Sequence, residues 1–187
     1  MEILDIHVGD YVYVEKGGEI IPKITGVELS QRPADAELPH FPETCPDCGA
    51  TLVRDEQEAK AFCPNQSGCP TQIKGKLVHF LSRKAMNVIA GDATIEQLYN
   101  KGLVWNPADF YELEKEHLLG LDGWKDRAAE RFLKSLEESK KTPFEKVLFA
   151  LGIRHVGETT AKSMARHFKN IDAMATATRE DLLAVDD

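Results

Sequence analysis

The rhythm of apolar and polar positions changes twice along the chain. From Val8 to Val14 most positions are β-branched or aromatic, and Ile20, Ile21 and Ile24 resume that pattern after Lys16-Gly17-Gly18-Glu19. These stretches predict strands, with the paired glycines predicting a hairpin turn at which positive φ is tolerated. Pro22 places the second strand at an edge or a strand end. Two or three strands bury too little to stand alone, so residues 1–30 read as part of a β-barrel whose other strands are missing. Residues 31–44 hold Pro33, Pro39 and Pro42 among scattered polar residues and predict an extended connector.

After Thr71 the pattern becomes helical. Leu77, Phe80, Leu81 and Val88 predict a helix over Ile73 to Ile89, and a second ends near Leu98 and Tyr99 at Gly102. Further helices are expected over Trp124 to Leu136, Phe144 to Leu151 and Thr160 to Phe168. Another starts after Thr178, with Asp181 at the capping-box position. The sequence ends at Asp187 within a pattern, Leu182 to Asp187 resembling the lead-in to one more hairpin.

Between the two regimes lie the four cysteines of the chain, Cys45-Pro-Asp-Cys48 and Cys63 followed six residues on by Cys69. Two close pairs separated by a short spacer suit one tetrahedral Zn²⁺ held by four thiolates, with no open position for a catalytic water. Two disulfides are the alternative. The sequence opens without an apolar leader and holds no membrane-length apolar run, which points to a reducing compartment and favours the metal. His40 and His79 lie nearby in sequence and are not needed as ligands. Residues 42–72 therefore read as a four-cysteine zinc finger, with Thr51 to Val53 and Lys60 to Phe62 forming a small hairpin between the two knuckles.

A composition of 42% apolar and 29% charged residues over 187 positions fits globular material in one large or a few small domains. The net charge of −8 argues at first against a nucleic-acid partner. It is unevenly placed: residues 1–60 carry thirteen acids and five bases, whereas residues 61–187 carry eighteen of each. Lys74, Lys76, Arg83 and Lys84, and again Arg154, Lys162, Arg166 and Lys169, form local basic stretches, for which ordinary solvated helix surface is the plain alternative.

The helical part repeats itself. Leu121-Asp-Gly123-Trp124-Lys125 followed by Ala128-Ala129 aligns with Ile153-Arg-His155-Val156-Gly157 followed by Thr160-Ala161; Ile89-Ala-Gly91 is a poorer third copy. Apolar residue, turn residue, apolar residue, turn residue, then alanine is a helix-hairpin-helix pattern. The second turn residue falls at the start of the next helix, where unpaired backbone amides and the dipole accept a phosphate. Such a motif grips nucleic-acid backbone without reading bases.

Together, His79 to Asn87, Leu148 to Ala161, Lys16 to Pro22 and the cysteine cluster with its prolines resemble the bacterial NAD-dependent DNA ligase family. The resemblance covers essentially the whole chain. It implies a multidomain architecture: a small β domain, the second part of an OB-fold, in 1–41, the zinc finger in 42–72, and an all-α helix-hairpin-helix DNA-binding domain in 73–187, truncated before its last hairpin. It implies Cys45, Cys48, Cys63 and Cys69 as zinc ligands. For DNA it implies contacts from Lys16, Ile20 and Ile21 at the minor groove, and from Gly91, Gly123, Lys125, Val156, Gly157, Glu158 and Thr159 in the hairpins. Ile20 and Ile21 have strand core as their simpler role. The sequence departs from the family pattern where Lys125 replaces a second hairpin glycine and His155 a first one. The resemblance further implies nick sealing in duplex DNA during replication and repair in the bacterial cytoplasm, at the nucleoid, by an enzyme using NAD and Mg²⁺. The adenylated lysine of that family lies in Lys-x-Asp-Gly, which this sequence lacks, so the chain alone is expected to be inactive. A standalone zinc and helix-hairpin-helix binding module, or a zinc ribbon that binds protein, are the rival readings.

Overall fold

The computed structural model describes residues 2–17, 21–54 and 60–185, and the chain divides into two compact units, 1–46 and 47–187. In the first unit, β1 (Val12–Gly17) pairs antiparallel with β2 (Ile21–Val27), Val12 opposite Val27 and Gly17 opposite Ile21. The strand begins at Val12 rather than Val8, because His7 to Asp10 form a turn with Gly9 at φ +90°. The register slips between Tyr13 and Val14, leaving Thr25 as the extra residue of β2. The expected hairpin turn at Gly18 and Glu19 lies outside the described residues.

Neither strand buries a face within this unit: Tyr13, Val14 and Ile21 are exposed. What orders it is polar. The Arg32 guanidinium donates from Nε to Asp10 Oδ1 (2.9 Å) and from its terminal nitrogens to Asp10 Oδ2 and Asp5 Oδ2 (both 3.0 Å). This pairing holds the Asp10 carboxyl below its ordinary range. The connector expected over 31–44 is irregular, yet anchored: Val8 N donates to Glu37 O at 2.8 Å.

In the second unit, β3 (Val53–Arg54) and β4 (Ala61–Phe62) form a two-residue ribbon, Val53 opposite Phe62. Among the described residues eight α-helices follow: α1 (Pro70–Leu81), α2 (Asp92–Asn100), α3 (Lys115–Leu119), α4 (Asp126–Ser139), α5 (Phe144–Ala150), α6 (Glu158–Phe168), α7 (Ile171–Ala175) and α8 (Arg179–Leu183). Helix α1 packs on α2, α3 on α4, and α5 on α6. The expected capping box at Thr178 and Asp181 is present.

The helix expected over Ile73 to Ile89 is cut short at Leu81. Ser82 is extended, and the chain folds back so that Met86 N donates to Phe80 O (3.1 Å) and Val88 N to Leu81 O (3.0 Å). Ala85, Met86 and Val88 are buried by this return, which is why their spacing imitates a continuing helix. The core gathers Leu77, Phe80, Leu98, Phe110, Leu118 and Phe132, with Trp124 edge-on to Phe132 at 5.6 Å between centroids. Ser135 and Ser139 are buried on α4. Each hydroxyl donates to a carbonyl of its own helix, and Ser135 Oγ also accepts from Ile89 N at 3.2 Å. Phe132 is only 1% exposed, so Phe132→Ala is expected to lower the unfolding free energy by about 3–5 kcal/mol in urea titration.

Candidate metal centre and nucleic-acid interface

The sulfur atoms of Cys45, Cys48, Cys63 and Cys69 all lie within 4.8 Å of one another. Cys48 Sγ and Cys63 Sγ are 3.6 Å apart, far beyond a disulfide bond of about 2.05 Å. A tetrahedral zinc with Zn–S near 2.3 Å sets sulfurs about 3.8 Å apart, so four thiolates here suit that ion. No histidine among the described residues joins the group: His79 Nε2 instead lies 2.8 Å from the Phe149 carbonyl.

Local structure explains the convergence. Gly49 takes φ +72° directly after Cys48, turning the first knuckle back. In the second, Gly68 N donates to Asn65 Oδ1 (2.9 Å) and Cys69 N to Asn65 O (3.2 Å). Cys69 is the N-cap of α1 and Pro70 occupies its first turn, so this sulfur sits at the positive end of a helix dipole, which favours a thiolate. Asp47 accepts from both the backbone and the hydroxyl of Thr71, and Gln72 Nε2 donates to Cys63 O at 3.0 Å. Sequence reasoning missed these three supports; an Asp between two ligand cysteines was the available signal.

The two aligned hairpin loops share one backbone geometry. Gly123 has φ +81° and His155 φ +68°, at equivalent places. Trp124 N donates to Leu121 O (3.3 Å) as Val156 N does to Ile153 O (2.9 Å). Lys125 and Gly157 are then extended N-caps, at φ −132° and −82°, neither offering a side chain to the first-turn amides. Lys125 thus needs no left-handed conformation, whereas His155 adopts one. Ala129 and Ala161 are fully buried. The third copy differs: Gly91 is the extended N-cap of α2, but the left-handed residue is Asn87, four positions earlier rather than two.

Gly91 and Gly157 have ordinary φ, and a Cβ on either would meet nothing within 4 Å. The fold does not require glycine there. Glu158 and Thr159 are exposed, Val156 is half-buried, and the loops of Gly91 and Gly123 line one groove with Arg83 and Arg131. Sequence reasoning did not single out Arg131. Acids occupy the first helical positions, Asp92, Asp126 and Glu158. Lys115 Nζ lies 2.7 Å from Asp126 and holds its carboxyl below the usual 3.8, while Lys84 lies 3.8 Å from Glu158, so two of these charges are offset. In the first unit, Lys16 is exposed opposite Pro22 and Ile21 is 73% exposed; Ile20 lies outside the described residues.

Residues 44–70 match the C4 zinc finger domain of NAD-dependent DNA ligases, and residues 146–187 match the helix-hairpin-helix motif. The chain is 53% identical over its whole length to a DNA ligase of Parabacteroides distasonis, covering 28% of that protein. The chain belongs to the NAD-dependent DNA ligase family and corresponds to a C-terminal segment of it. It is likewise 50% identical to a DNA ligase of Bacteroides fragilis over all of this chain and 28% of that protein. A DNA ligase of Porphyromonas gingivalis is 51% identical over 98% of the chain and 27% of its own length. The chain thus spans under a third of the length of the curated ligases it matches. No helix among the described residues is long and apolar enough to cross a membrane.

Emission spectrometry of this ligase segment is expected to return one zinc per chain. Cys69→Ser should lose it and lower the melting temperature, as should a strong chelator; an unchanged melt after complete metal removal would contradict a structural metal.

Proposed function

We propose that the chain is the DNA-gripping portion of an enzyme that seals nicks in duplex DNA during replication and repair. The observation that carries this reading is the repeated loop: a left-handed turn residue, then an extended N-cap without a capping side chain, exposed at Gly157 with open space around it. First-turn amides pointing outward bind phosphate oxygens whatever the base sequence, and they do so without a large positive field. That reconciles duplex binding with a net charge of −8.

In this reading residues 1–41 belong to an OB-fold, 42–72 to the zinc finger and 73–187 to the helix-hairpin-helix domain. Exposed Lys16 and Ile21, with Ile20, face the minor groove near the nick, the cation toward phosphate and the apolar groups toward sugars. Zn²⁺ on Cys45, Cys48, Cys63 and Cys69 supplies folding energy and no chemistry. Gly91, Gly123, Lys125, Val156, Gly157, Glu158 and Thr159 present backbone to the duplex. The remaining ligase domains, in cis and in the bacterial cytoplasm at the nucleoid, bring NAD, Mg²⁺ and the lysine that carries AMP. In the full reaction the lysine would take AMP from NAD with release of nicotinamide mononucleotide, AMP would pass to the 5′-phosphate at the nick with release of the lysine, and the 3′-hydroxyl would attack that phosphate with release of AMP.

Fluorescence anisotropy with a labelled nicked duplex tests the grip. Wild-type affinity should fall steeply with salt, and Gly157→Val should weaken binding at least about tenfold with an unchanged melting temperature. Binding that survives the valine intact refutes the hairpin assignment. Incubation of the chain with labelled NAD should yield no covalent AMP adduct; a stoichiometric adduct would overturn the expected inactivity.

A further inference from the structure

Between the zinc ribbon and the loop leading into α6 lies a cleft lined by Lys60, Phe62, Gln72, Lys76, Arg154 and His155 among others, with no carboxylate in its wall among the described residues. Residues 61–187 as a whole carry eighteen acids and eighteen bases, so a wall with cations alone stands out. Elsewhere several lysines are matched: Lys74 with Glu96, Lys115 with Asp126 and Glu130, Lys140 with Glu137. Among the described residues Lys60, Lys76 and Arg154 have no such acid. Two of these cations are also held in place. The Arg154 guanidinium stacks over the Phe62 ring, 4.6 Å from its centroid, and Lys76 Nζ donates to Gln66 O at 3.3 Å.

The far side of the same loop faces His79. His79 meets the Phe149 carbonyl at 2.8 Å, and its ring lies 3.3 Å from where a Cβ on Gly152 would stand, so His79 packs against the start of this loop. His155 lines it while holding φ +68°, a conformation glycine adopts with less strain. Gly157, the N-cap of α6, is only two residues further on, roughly 7 Å of chain at full extension.

We infer that this cleft is an additional phosphate station, in which Lys76 and Arg154, flanked by Lys60 and His155, take a backbone phosphate of the duplex whose neighbouring phosphate sits at the α6 N-terminus. The inference rests on the duplex-binding reading above. It gives the zinc ribbon a direct share in the contact, through Phe62, which orients Arg154, and through Lys60.

The experiment measures how affinity for a labelled duplex of about two helical turns varies with KCl, using the zinc-loaded chain. Wild type, Gly157→Val, the double variant Lys76→Gln/Arg154→Gln and the charge-keeping Lys76→Arg are compared, with zinc content and thermal melts checked for each. The double variant should flatten the slope of log K against log salt by about 0.9 for each phosphate no longer engaged, and Lys76→Arg should retain the wild-type slope. Lys60→Gln, a single change beside the ribbon, gives the same readout if the double variant melts early. Wild-type binding abolished by Gly157→Val with slopes unchanged in the cleft variants would overturn this inference alone. Failure of the wild type to bind any duplex would overturn the duplex reading and this with it. Calorimetric binding of tripolyphosphate that the cleft variants lose, with their DNA slope unchanged, would make the cleft a free-anion pocket and also refute the inference.

Discussion

Cys69 does two jobs in one residue, and the helical unit depends on their coincidence. Its sulfur belongs to the four-thiolate cluster and its backbone caps α1, so a metal bound by the knuckles fixes the first turn of the helix that supplies Ile73, Leu77, Phe80 and Leu81 to the core. Nucleating a helix is unfavourable on its own because several dihedrals are ordered for one hydrogen bond. Zinc-finger peptides gain on the order of 10–16 kcal/mol from the ion, ample to offset that cost. Asp47 strengthens the link by accepting from the backbone and hydroxyl of Thr71, which ties the first knuckle to the same turn.

From that anchored helix the chain returns through Asn87 to Gly91, and this loop is joined to α4 by the Ser135 hydroxyl. Gln97 Nε2 on α2 reaches the Asp122 carbonyl at 3.4 Å, which ties the helix after Gly91 to the loop of Gly123. The hairpin of Gly157 hangs from α5 and α6 and is referred to α1 through His79 and Phe149. Backbone amides are useful for gripping a polymer only if their spacing is fixed. Here that spacing is set by buried serines, an aromatic edge and a glutamine rather than by surface charge.

Much of this was legible in advance because it rests on short-range chemistry. Cysteine spacing announced the metal cluster, and the matched Leu121-to-Ala129 and Ile153-to-Ala161 runs announced the repeated loop. Failures came where tertiary folding imitates a local pattern. Ala85, Met86 and Val88 sit at near-helical intervals because a folded-back turn buries them, and no periodicity argument distinguishes that from another helical turn. The Arg32 clamp on Asp5 and Asp10 spans more than twenty residues in sequence, so the connector's order was invisible to composition. Lys125 looked like a misfit for a glycine position. The extended cap conformation accepts any residue, and the strained position is His155.

The glycines themselves separate into two populations, with a consequence for saturation mutagenesis. Gly49, Gly102, Gly123 and Gly152 have positive φ, so replacements there carry backbone strain and will register as lowered stability. Gly91 and Gly157 have ordinary φ and empty surroundings, and an abundance screen will score nearly every substitution at them as silent. If duplex backbone binds there as proposed, a screen for DNA binding will not. Positions silent in the first readout and not in the second would then mark where another molecule presses against the main chain, with no need to see that molecule.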